Sequence, residues 1–224
     1  MFLSGGQFRP ERLYCQIENA PPWFARQKKY ADFIVRVGVN LQPGQTLVIN
    51  CCLEAAPLAR LCVRSAYEAG ARDVLVNWSD NDVSRSRMEL GSEEALSDFK
   101  SWQLRRYLDY AESEGGVCVL HILADDPEVY AGLDGAKISR VNAGQRKFMA
   151  PWREYTMNDR VQWSIAAMPS APWAKKMFPE LDEAAAVEKL WKLIFDVCRV
   201  TNGDPVNEWK AHLDRLTDLK NKMN

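Results

Sequence analysis

Few residues in this 224-residue chain have the types and spacing for chemistry. Its two histidines are His121, inside an apolar run, and His212, near the polar carboxyl end. Metal hydrolases need several His or carboxylate groups converging on the ion, and two histidines placed this way make a poor set. His121 can act as a ligand or base, but its strand setting favours a buried ring with satisfied nitrogens. His212 suits a surface or an interface. The acids are more suggestive. Glu54, the run Asp80-Asn81-Asp82 and the pair Asp125-Asp126 each follow an apolar run that reads as a strand. Parallel α/β sheets bind ligands beyond the carboxyl ends of their strands. There, acids from three strands could hold a cation such as Mg²⁺ or a substrate amine. The same positions suit caps of the helices that follow, and capping is the expected role.

Other chemistry is not signalled. No G-x-G-x-x-G follows a strand, and there is no G-x-x-x-x-G-K-[ST], H-E-x-x-H or G-x-S-x-G. Six cysteines (Cys15, Cys51, Cys52, Cys62, Cys118 and Cys198) include no C-x-x-C pair. Adjacent Cys51-Cys52 suits neither a metal site nor a low-strain disulfide. Without a secretory signal, reduced thiols in a cytoplasmic protein are expected. Trp173 follows Pro172 in an expected loop, where a tryptophan either plugs a core or lines a cleft or interface.

The elements that must position these groups read as an α/β fold. A net charge of −1 gives no basic field for nucleic acid or a membrane surface. No apolar run approaches the roughly 20 residues of a membrane-spanning helix. Residues 1–22, with Gly5-Gly6, Pro10 and Pro21-Pro22, read as a poorly ordered extension or a start placed too early. A loosely periodic helix over 23–37 stops at Gly38. Strands are expected at 46–51, 73–78, 117–123 and 161–168. Between the first two, Ala59, Cys62, Val63, Ala66 and Tyr67 keep helical spacing, making a βαβ crossover with parallel strands. Ser92 is positioned to cap one helix running to about Ser113. Residues 126–160 are expected to be helical in part. Two helices close the chain, with a stop and restart at Asn202-Gly203-Asp204-Pro205. This alternation predicts a three-layer domain with a mostly parallel sheet of about four or more strands. The expected divisions are 1–22, an α/β domain over 23–203, and a terminal helix over 204–224.

Several segments together resemble the aminopeptidase T / aminopeptidase II metallopeptidases (the AmpS and PepS type). They are Tyr30-Ala31-Asp32-Phe33, Gly38 to Gln45, Glu54 to Arg60, Ala66 to Ala71, Val76 to Asp80, Gln162-Trp163 and Trp173 to Pro179. Each is weak alone; their shared order over about 28–216 makes the likeness specific. The resemblance implies an exopeptidase that removes N-terminal residues from peptides with a pair of divalent metals (Zn, Co, Mn or Mg) and works as a homodimer. In that family the ligands lie in a C-terminal domain, and members run to roughly twice this length. No position here matches those metal motifs, so no catalytic or metal-ligating residue is carried over, and this chain alone is expected to be inactive. Candidates for a cleft or interface are Trp173, Glu54, Asp80 and Asp125. The competing readings are a non-catalytic interaction or dimerisation module and a small-molecule-binding α/β domain.

Overall fold

Val, Ile and Leu fit a pleated surface buried on both sides, and the run Thr46–Cys52 accordingly forms β1 at the centre of the sheet. The computed structural model describes residues 22–200 and 203–223; of the extension expected over 1–22, residues 1–21 lie outside the described residues and Pro22 starts the first helix. Strands β2 (Asp73–Ser79), β3 (Val117–Leu123) and β4 (Gln162–Ala167) complete an all-parallel sheet in the order β2-β1-β3-β4. The winding direction reverses at β1, so a topological switch point lies between the carboxyl ends of β1 and β3.

Helices cover both faces. Helix α1 (Pro22–Phe33) runs into a π-helical turn at Ile34–Gly38, and a 3₁₀ turn at Leu53–Ala55 leads into α2 (Ala56–Glu68). Between β2 and β3 come α3 (Asn81–Leu90), α4 (Glu93–Ser97) and α5 (Ser101–Ala111). Helices α6 (Gly135–Phe148) and α7 (Ala150–Met157) precede β4. The chain then forms α8 (Ala171–Met177), α9 (Glu183–Val197) and α10 (Pro205–Met223).

Strand alternation divides the core in two. On one side Leu47, Ile49, Cys118, Leu120 and Ile122 pack with Tyr30, Val35, Leu58, Cys62, Leu190 and Phe195. On the other, Val48, Val117 and Val119 meet Leu104 and Tyr107 of α5 and Trp152 and Tyr155 of α7. Leu47, Ile49 and Leu120 are fully buried, each worth about 1.5–3 kcal/mol of apolar transfer. Gly115 is required by a close approach: with φ at +85° it leads into β3, and a Cβ there would sit 2.3 Å from the carbonyl oxygen of Gly44.

Three expectations are corrected. Helix α3, the helix that Asp80 was expected to cap, had no expected range, because Asn81–Leu90 buries only Met88 and so shows no apolar stripe. The single helix expected from Ser92 to about Ser113 is two. Ser92 does cap α4, accepting from the Ala95 N–H at 3.2 Å. The chain then leaves the helix at 98–100, where the Phe99 ring stacks on Phe148 at 5.3 Å. Trp173 lies in helix α8, not in a loop. Ser170 caps that helix by accepting from the Trp173 N–H, with Pro172 in the first turn. Serine followed two residues later by proline is a helix-start signal that was available in the sequence.

Candidate functional site

The acids do gather along the carboxyl edge of the sheet, but most are already engaged. Asp80 ends β2 and caps α3, its Oδ1 accepting from the Val83 N–H at 2.8 Å. Asp82 is exposed in the first turn of α3. Glu54 lies in the turn after β1, and its Oε1 accepts from Asn81 Nδ2 at 3.0 Å, tying the ends of β1 and β2 together. Asp126 accepts from the Glu128 N–H at 2.8 Å and turns its own loop. Asp125 is exposed beyond β3.

Glu54 and Asp125 flank the end of β1, and the cysteines there report both. Burial pushes the Cys51 thiol up to about 11, with the Asp125 charge adding to it. Burial, a hydrogen bond to Glu54 and the Asp125 charge push Cys52 up to about 12. Thiols held neutral in this way are poor nucleophiles and poor metal ligands. Five cysteines (Cys51, Cys52, Cys62, Cys118 and Cys198) are free thiols.

His121 differs from its expected setting. Its ring is exposed, although the packed strands beneath it lower its basicity by desolvation. It stands in register with Asn50 of β1, which in turn pairs with Asn77 of β2. Each of these three strands carries a polar side chain at the fifth position, a repeat legible in the sequence but not picked out there. Asn50 Oδ1 accepts from Asn77 Nδ2 at 2.8 Å and from the Tyr107 hydroxyl at 3.3 Å. Trp173 is half-buried and packs on the core shared by α1, α2 and α9. His212 sits on α10, 3.3 Å from Arg199 Nη2 and edge-on to Trp209. The structure thus brings Glu54, Asn81 and Asp125 to the same end of the sheet, places Asp80 there as a cap, and keeps Trp173 and His212 in other packing environments.

A sequence model of the thermophilic metalloprotease (M29) family matches residues 25–224. The chain belongs to the M29 family. Among relatives of this M29 chain, Aminopeptidase 2 of Geobacillus stearothermophilus is 37% identical over 202 residues, covering 90% of this chain and 48% of the relative. Aminopeptidase AmpS of Bacillus subtilis (strain 168) is 33% identical over 195 residues, 87% of this chain and 47% of the relative. In three dimensions the chain matches the wild-type AmpT from Thermus thermophilus with a TM-score of 0.75 and 29% identity, over 84% of this chain and 45% of that one. The chain spans about half the length of the curated relatives it matches. The family's description names a metal. Among the described residues, no three His, Cys, Asp or Glu side chains are grouped to hold one. Asp80, Glu54 and Asp126 already serve a cap, a side-chain pair and a turn. The described residues do not fit a metal ion.

Proposed function

We propose that this M29 chain is the N-terminal part of a metal-dependent aminopeptidase that removes N-terminal residues from peptides. The match to the family over residues 25–224 carries this reading, and the shared fold with AmpT supports it. In this reading the α/β domain runs to residue 203 and α10 leads toward a metal-binding part holding Zn, Co, Mn or Mg. The working enzyme is a cytoplasmic homodimer; the free, mostly buried thiols suit a reducing compartment. Glu54 and Asp125 at the switch point, and Trp173 on α8, are the residues of this chain assigned to cleft or subunit contacts.

The test compares this 224-residue chain with the same chain joined to the second half of a full-length relative. Both are desalted, analysed for Zn, Co and Mn, and assayed on leucine amide. The longer protein is expected to bind metal and turn over the substrate, and the shorter one to do neither. Stoichiometric metal with turnover in the shorter chain would put the metal site among the acids of the sheet edge. No turnover in the metal-loaded longer protein would sink the aminopeptidase reading. A non-catalytic docking module is the second reading, favoured by the apolar Leu213, Leu216 and Leu219 exposed along α10.

A further inference from the structure

Among the described residues, helix cover of one side of the sheet ends at Tyr107 of α5, which reaches the row Asn77–Asn50–His121 at Asn50. By strand alternation the row lies on the side of Val48 and Val119, which α5 and α7 cover over the amino half of the strands. Among the described residues nothing covers the carboxyl half: His121 is exposed, and Leu123 and Ile165 on the same side are 47% and 55% exposed. Parallel sheets are ordinarily covered on both faces, so an open half is unusual. Two donors fill Asn50 Oδ1 and fix its amide, which turns Asn50 Nδ2 away from both. Among the described residues, Asn50 Nδ2, Asn77 Oδ1 and the His121 ring have no hydrogen-bond partner.

The row therefore offers a fixed donor, a fixed acceptor and an imidazole, all uncharged, beside an apolar strip. A carboxylate would set its oxygen against Asn77 Oδ1, and an ammonium would set its hydrogens against Asn50 Nδ2. One residue of an extended peptide turns its own N–H and C=O to the same side and satisfies both. We infer that this shelf binds the backbone N–H and C=O of one residue of an extended peptide. Asn50 Nδ2–H donates to the peptide carbonyl, Asn77 Oδ1 accepts the peptide N–H, and Leu123 and Ile165 receive an apolar side chain. The biological meaning rests on the aminopeptidase reading; the geometry does not.

The test uses N-acetyl-leucyl-leucine amide, which has no charged end, titrated into the isotope-labelled 224-residue chain. The side-chain amide signals of Asn50 and Asn77 and the ring signals of His121 are expected to shift together. Free leucine, with both charges, is expected to leave them in place. Asn50→Asp exchanges the free donor for an oxygen but keeps the oxygen that Asn77 and Tyr107 donate to. It is expected to weaken binding about tenfold, the scale of one lost hydrogen bond. Shifts confined to other residues, or equal affinity in a folded Asn50→Asp chain, overturn the inference. If that variant does not fold, the shift map of the unaltered chain decides alone. In the longer protein the two readings separate. Peptide turnover with KM unchanged by Asn50→Asp sinks only the shelf, and peptide binding at these signals without any turnover sinks only the peptidase.

Discussion

At the scale of single residues, the expected capping role holds for Asp80 alone: Glu54 pairs with Asn81 and Asp126 turns its own loop. Asp80 shows the contest most clearly, since an aspartate after a strand serves either end. Its hydrogen bond to the Val83 N–H satisfies one of the orphan donors at the start of α3. Asp80→Ala should therefore cost about 1 kcal/mol, read as a lower urea midpoint with unchanged slope, and Asp80→Asn should cost little. Full stability in Asp80→Ala would mean that the side chain is kept for something other than the cap. The acids were legible in the sequence as a group. Their partners were not: which acid meets Asn81 and which meets its own loop depends on how far apart strand ends lie, and periodicity carries no such distance. His121 shows the same limit. An apolar run predicts a strand, but how much of the ring reaches water depends on elements distant in the chain.

At the scale of elements, the strands were the most readable part. Each is a short run dense in Val, Ile and Leu or in alternating polar and apolar residues, and all four lie within a few residues of their expected positions. Helices on the rim were harder, because α3 and α4 bury too little to leave a stripe. Helix α10 is the loosest attachment. Its apolar residues Leu213, Leu216, Leu219 and Met223 are exposed, and it is held mainly at its start. There Asp204 caps it, and Trp209 stacks on Phe33 at 5.7 Å with the rings nearly parallel. Such a stack is worth about 1 kcal/mol beyond its buried area. Trp209→Ala should thus speed amide hydrogen exchange in α10 by roughly fivefold or more while exchange in β1 and β3 stays slow. Equal acceleration in the strands would mean that α10 is part of the central cooperative unit.

For the whole molecule, the buried thiols set an alkaline limit. Burial raises Cys51 to about 11 and both Cys52 and Cys118 to about 12, from an unfolded value near 9. Between those values the unfolded chain has released protons that the folded one still holds, so stability falls as pH rises. This contribution is complete below about pH 9 and is lost toward pH 11–12. The urea midpoint should be level from pH 7 to 8 and drop clearly by pH 10. A midpoint unchanged at pH 10 would mean that the thiols titrate in the folded chain as they do in water.

The strand order β2-β1-β3-β4 also dictates when the molecule can assemble. Thr46 pairs with Asp73 on one side and with the far more distant Val117 on the other. The β1–α2–β2 unit can close early, at low loop entropy, while the second edge of β1 waits for β3. During that interval the most buried strand of the sheet presents a row of unpaired backbone groups. It is the point at which a newly made chain is most exposed to pairing with the wrong neighbour.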